Sequence, residues 1–219
     1  FQQLIKFESL LAPFALIGLF VTAYLSLLPR FVIDLLLYAA ILVNIIITYI
    51  CLKNKQPHFT WVYKGGLILF YLIGSSVFIP LVIAIGEKGA PYYLLFFYLS
   101  IWVNNSFAYL VGSQMGKTKL LPSISPKKSW EGYTGGALAT LIFLYFVEDS
   151  FFIYGPYWWS IALLIPAFAT LGDFVQSYFK RRANVKDSGT LLPGHGGFYD
   201  RMDSVIYTAP FYYLLLKII

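Results

Sequence analysis

The chain has 219 residues, 59% of them hydrophobic and 12% charged, with a mean hydropathy of +0.71 and a formal net charge of +6. Soluble domains carry about 25% charged residues, so this composition excludes a water-soluble globular protein and makes the bilayer the solvent for most of the surface. The basic residues lie between hydrophobic stretches, which suits anionic headgroups and a nucleotide and argues against nucleic acid as a partner.

A helix that crosses the hydrocarbon core needs about 20 apolar residues. In chain order the sequence predicts spans at 10–29, 31–51, 66–86, 91–114, 132–148, 157–179 and 204–219. The fifth is short and opens on Gly132-Tyr-Thr-Gly-Gly136. The expected fold class is therefore all-α: a polytopic integral membrane protein of about seven transmembrane helices, with a short Gly-rich span and a cytoplasmic polar site. The first residue is Phe1, so a missing N-terminal piece is expected. Residues 1–30 do not read as a cleaved signal, since Pro13 and Pro29 frame a full span and no small-residue cleavage site stands out. One domain, 1–219, is expected.

Seven spans sort the charge. Lys6, Lys53, Lys55, Lys64, Lys117, Lys119, Lys127, Lys128, Lys180, Arg181, Arg182, Lys186 and Arg201 fall on one side, and only Arg30, Lys88 and Lys217 on the other. The positive-inside rule makes the first side cytoplasmic. Aromatic clusters at Tyr92-Tyr93, Tyr154 to Trp159 and Tyr212-Tyr213 are expected to anchor at the interface. The single cysteine, Cys51, forms neither an internal disulfide nor a metal site alone and reads as a buried small hydrophobe. His58 reads as plain loop.

Four polar stretches carry candidate chemistry. In Ser125-Pro-Lys127-Lys128-Ser-Trp130-Glu-Gly132 the lysines suit a nucleotide-phosphate clamp at the mouth of the Gly-rich span; binding headgroups or snorkelling is the alternative. Asp173 lies in or at the end of an apolar helix, where a carboxylate costs on the order of 3 kcal/mol and therefore faces a cavity or a partner. Helical spacing puts Gln176, Ser177 and Lys180 on its side; a structural ion pair with a neighbouring Lys or Arg remains open. Pro193-Gly194-His195-Gly196-Gly197 permits φ > 0 and exposed N–H groups, which suits an anion-binding loop; His195 either donates to phosphate or bonds the loop. Asp200 and Asp203 share a face if they open the last helix. Two carboxylates so close call for a cation or a shared proton, and oxygen ligands plus substrate phosphates suit Mg²⁺, although Asp200 also reads as a helix cap. There is no Gly-x-Ser-x-Gly, Walker loop or Cys/His metal pattern, so nucleophilic catalysis is unsupported. The inventory suits phosphoryl or nucleotidyl transfer.

The run Ser177-Tyr-Phe-Lys180-Arg181, Lys186-Asp187-Ser-Gly, and Pro193-Gly-His195-Gly196-Gly197-Phe-Tyr-Asp200-Arg201-Met-Asp203 resembles the phosphatidate cytidylyltransferases, also called CDP-diacylglycerol synthases. The elements Ser125 to Gly132 and Gly116-Lys-Thr-Lys-Leu120 resemble the same family, so the likeness covers roughly residues 100–210. It implies N-terminal spans over 1–90, a catalytic region over 91–219, and transfer of CMP from CTP to phosphatidic acid, giving CDP-diacylglycerol and pyrophosphate. It further implies Mg²⁺, one or two cations, held by Asp173, Asp200 and Asp203. Lys180, Arg181, Lys186 and Arg201 are implied to bind phosphates, Lys127 and Lys128 to close over the nucleotide, and His195 to steady phosphate. Ser125, Trp130, Ser177, Asp187, Gly196 and Gly197 are implied to line the substrates. A homodimer in a bacterial inner membrane, with a cytoplasmic site, is implied as well. Two positions depart from the pattern: Asn105, in Trp102-Val-Asn-Asn105-Ser-Phe-Ala-Tyr109, stands where the family has Asp, and Gln176 stands where an acid is common. The competing readings are a cytidylyltransferase or CTP-dependent kinase acting on another lipid or polyprenol, and a non-catalytic lipid-binding or transport homologue.

Overall fold

The computed structural model describes residues 29–53, 69–85, 90–182, 184–185 and 199–219. Their order is α1 (Arg30–Leu52), a broken stretch, α3 (Ala90–Met115), a hairpin of β1 (Lys119–Leu121) and β2 (Ser125–Ser129), α4 (Trp130–Phe151), a 3₁₀ turn (Gly155–Tyr157), α5 (Trp158–Arg182) and α6 (Tyr199–Ile218). The broken stretch consists of a π-helical segment (Leu69–Gly74), the short α2 (Phe78–Leu81) and a 3₁₀ turn (Val82–Ala84).

Three helices, Arg30–Leu52, Tyr92–Met115 and Gly155–Arg182, are long and apolar enough to cross a membrane. They correspond to the expected spans 31–51, 91–114 and 157–179. Span 10–29 lies outside the described residues. On α1 the buried positions Leu37, Ala40, Asn44, Ile47 and Cys51 recur every three or four residues, so they form one helical face. The opposite face exposes Phe31, Leu35, Tyr38, Leu42, Ile45 and Tyr49. The helix is apolar all round, and only one face packs against the rest of the described chain. Cys51 is buried at its end, as expected, and its Sγ donates to the Phe174 carbonyl at 3.6 Å.

Three expectations change. The fifth span is not short: α4 has 22 residues, because Ser129 caps it ahead of the glycines, with Oγ accepting from Gly132 N–H at 3.1 Å. The fold is mostly helical but not wholly so, since β1 and β2 pair antiparallel, Lys119 opposite Ser129 and Leu121 opposite Ser125. Tyr154, Tyr212 and Tyr213 are not interfacial anchors; all three are buried. Tyr154 and Tyr212 share a hydroxyl hydrogen bond of 2.9 Å, and Tyr212 donates to the Tyr93 carbonyl at 3.0 Å. Their hydroxyls find protein partners, which removes the reason to seek the headgroups. Tyr92, Tyr157 and Trp159 remain exposed, as anchors would be.

α6 is the central helix, buried continuously from Asp203 to Tyr213. Its polar residues face neighbouring helices: Ser204 Oγ donates to the Ala169 carbonyl at 3.1 Å, and Asn44 Nδ2 reaches both Ser75 Oγ at 3.3 Å and the Tyr207 carbonyl at 3.4 Å. Such bonds hold helices together where lipid supplies no hydrophobic drive. Lys217, near the far end of α6, pairs with Asp34 of α1.

α3 and α4 meet through small residues. A Cβ on Gly132 would sit 2.7 Å from the Ala108 carbonyl oxygen and 3.0 Å from Gly112 Cα, and one on Gly136 would sit 2.7 Å from the Asn104 carbonyl oxygen. Gly136→Val is therefore expected to push the helices apart and cost about 1–3 kcal/mol. Thermal unfolding in detergent measures this, and an unchanged melting temperature would contradict the close approach.

Candidate active site

α5 supplies one wall. Asp173, Gln176, Ser177 and Lys180 form the expected stripe, and Ser177 Oγ donates to Asp173 Oδ1 at 3.2 Å. α6 supplies the second, beginning at Tyr199 so that Asp200 and Asp203 share its first turn. The two helices join through Asp200 Oδ1, which accepts from Lys180 Nζ at 2.8 Å and from Gln176 Nε2 at 2.9 Å. Gly172 permits this contact: a Cβ there would lie 2.7 Å from Tyr207 Cβ and 2.9 Å from the Asp203 carbonyl oxygen.

The hairpin is the third wall. The pairing of β1 with β2 is irregular between Lys119 and Leu121, and along β2 Lys127 is exposed while Lys128 points inward. Lys128 Nζ lies 2.6 Å from Asp173 Oδ2 and 4.8 Å from the Phe174 ring centroid. Ile124, at the hairpin turn, is buried in an apolar cluster with Phe174, Val175 and Tyr178. At the root, Trp130 N–H donates to the Thr118 carbonyl at 2.9 Å.

Glu131 adds a clamp with no role foreseen from sequence. Its carboxylate accepts from Lys117 N–H at 3.1 Å and Thr118 N–H at 3.1 Å. Its own backbone N–H, then those of Thr118 and Lys117, hold the Glu131 carboxyl below the ordinary glutamate range. A lowered folded-state value means the clamp's contribution is complete above the unfolded pKa, about 4.3, and is lost as pH falls through the lower folded value. The Lys117 and Thr118 amides are therefore expected to lose hydrogen-exchange protection, after correction for intrinsic rates, only below about pH 4. Glu131→Gln should remove that pH dependence; its persistence in the variant would contradict the clamp.

Lys128, Asp173, Gln176, Ser177, Lys180, Asp200 and Asp203 thus stand on three adjoining elements. Asp203 is 8% exposed and lies in the field of the Asp173 carboxylate and of the Lys128 and Lys180 ammonium groups. Among the described residues no group of three His, Cys, Asp or Glu side chains is placed to hold a metal ion, and Asp200 Oδ1 accepts from Gln176 and Lys180. Asp173 and Asp203 carry hard oxygens, the donor type that suits a cation such as Mg²⁺ completed by substrate phosphates. The alternative reading of Asp173 as one half of an ion pair is also realised, through Lys128.

Other predicted residues stand outside this network. Asn105 is exposed on α3 and accepts from Asn104 Nδ2 at 3.1 Å. Trp130 is exposed and meets Tyr133 edge to face, with ring centroids 5.9 Å apart. Ser125 is half-buried at the start of β2, and Arg181 and Arg201 are exposed. Lys186, Asp187, His195, Gly196 and Gly197, with His58, lie outside the described residues. The loop that carries the first five leaves α5 by a specific geometry. Asn184 takes φ 54°, Val185 N–H donates to the Lys180 carbonyl at 3.0 Å, and Asn184 N–H to the Arg181 carbonyl at 3.1 Å. This left-handed cap ends the helix directly after its basic turn.

The chain belongs to the cytidylyltransferase family, whose sequence profile matches residues 2–219. It is 37% identical over 158 residues to the phosphatidate cytidylyltransferase of Aquifex aeolicus (strain VF5), covering 70% of this chain and 57% of that protein. It is 43% identical over 129 residues to the phosphatidate cytidylyltransferase of Staphylococcus aureus (strain COL), covering 57% and 49% respectively. With the phosphatidate cytidylyltransferase of Rickettsia bellii (strain RML369-C) it shares 36% identity over 160 residues, 68% of this chain and 69% of that protein. The matched region is about half the length of the first two relatives.

Proposed function

We propose that the chain transfers CMP from CTP to phosphatidic acid, releasing pyrophosphate and forming CDP-diacylglycerol. The observation that carries this reading is the convergence of two ammonium groups, Lys128 and Lys180, on carboxylates at the meeting of α5, α6 and the hairpin. Cations and carboxylates so arranged suit a triphosphate and its metal, and the family's relatives are named for this transfer.

A phosphate oxygen of the lipid attacks the α-phosphorus of CTP; a new P–O bond forms there, and the bond to the bridging oxygen of the β-phosphate breaks. Pyrophosphate leaves with that electron pair. The lipid phosphate is already ionised, so no strong base is needed. Lys128 and Lys180 bind phosphate oxygens, and Asp200 with Gln176 orients Lys180. Asp173 and Asp203 would hold Mg²⁺, whose charge would offset that of the triphosphate and the departing pyrophosphate. In this reading the site faces the cytoplasm of a bacterial inner membrane, because the lysine-rich segments lie on its side, and the chain works as a homodimer.

Purified protein in detergent, given CTP, Mg²⁺ and phosphatidic acid, is expected to yield CDP-diacylglycerol identified by mass spectrometry. A nucleotide-free phosphorylated product, or none beside an active control enzyme, would overturn the proposal.

A further inference from the structure

Lys128 differs from the other lysines of its segment. Lys117, Lys119 and Lys127 are exposed, whereas Lys128 is half-buried between Asp173 Oδ2 and the face of Phe174. Lys180 is already engaged with Asp200. Asp173 therefore takes its cation from a different element, the hairpin. An ammonium there supplies one positive charge without a metal ion's coordination, since it donates hydrogen bonds and accepts no ligands. A divalent cation binding the same oxygens must expel it.

The hairpin need not move for this exchange. It is fastened at its root by Glu131 and Trp130 and at its turn by Ile124. The lysine stem has four carbons and rotates freely at its end, so the ammonium can leave Asp173 while β2 stays in place. Phosphate oxygens that arrive with the metal offer it a new anion at the same mouth.

The geometry points to Lys128 as the resident counter-ion of Asp173 in the substrate-free protein, displaced by the incoming metal and handed to the nucleotide phosphates. This rests on the reading that metal and CTP bind here. It makes the lysine serve two states in turn, and gives Asp173 a cation in both.

The test uses Mn²⁺ alone, with the full chain in detergent and free Mn²⁺ read by electron paramagnetic resonance. Lys128→Met is expected to bind Mn²⁺ about five- to tenfold more tightly than the unaltered protein without nucleotide, and Mn²⁺–CTP more weakly. Lys119→Met, which removes equal charge from the outer side of the same hairpin, should change Mn²⁺ affinity by less than about twofold. Equal shifts in the two variants, or none in Lys128→Met, would overturn the exchange. If Lys128→Met does not fold, the unaltered protein decides. Mn²⁺ should raise the rate at which an amine-acylating reagent modifies Lys128, read by mass spectrometry, and CTP should lower it again; a rate unmoved by Mn²⁺ would sink the proposal. None of these readouts needs lipid turnover. A chain that shows the exchange but makes no CDP-lipid refutes the proposed function alone, and one that makes CDP-lipid without the exchange refutes this inference alone.

Discussion

Asp173→Ala is expected to lower CMP transfer by about a thousandfold or more. Two partners depend on that carboxylate: Lys128 lies 2.6 Å from one oxygen and Ser177 donates to the other. Truncation removes the proposed metal ligand and also strands the Lys128 ammonium beside Phe174, so binding and chemistry suffer together. Asp173→Asn keeps the shape and loses the charge; it should recover Ser177 contact and folding but little turnover. Labelled CTP and phosphatidic acid with each purified variant measure the effect. Near-normal rates in both would remove Asp173 from the chemistry.

Gly172→Val is expected to be nearly as damaging without touching a reacting group. The position meets Tyr207 Cβ, the Asp203 carbonyl oxygen and Ser204 Cα, all within 3.2 Å of where a Cβ would stand. Two of these are backbone atoms of the central helix, which cannot rotate away. α6 must shift, at about 1–3 kcal/mol for overpacking, and the shift draws Asp200 away from Lys180 and Asp203 away from Asp173. Loss of turnover with a lowered melting temperature is the expected pair of readings. Full activity with normal melting would mean that the close approach is not needed.

The α5 stripe was legible because helical spacing is a one-dimensional code: Asp173, Ser177 and Lys180 recur at turns of one helix and appear in the structure on one face. Asp200 and Asp203 were legible for the same reason, once Tyr199 opens the helix. Which of them meets a cation was not, because Lys180 and Gln176 reach Asp200 across a helix–helix contact that no local spacing encodes. Lys127 and Lys128 read as an equivalent pair in sequence. The short, irregularly paired strand that contains Pro126 gives no alternation to detect, and only its packing against α5 distinguishes the two lysines. The tyrosines misled because composition does not distinguish a hydroxyl that seeks headgroups from one that seeks another tyrosine. Gly172 and Glu131 were in plain view beside the motifs, and their roles depend on what lies opposite them in space.

The central claim, nucleotidyl rather than phosphoryl transfer to a lipid phosphate, is tested most directly by the fate of two labels. Purified protein with Mg²⁺ and phosphatidic acid is given CTP labelled at the α-phosphate in one reaction and at the γ-phosphate in another. The expected result is α-label in the lipid product and γ-label wholly in pyrophosphate. Lipid carrying the γ-label, or neither label entering lipid, would contradict it.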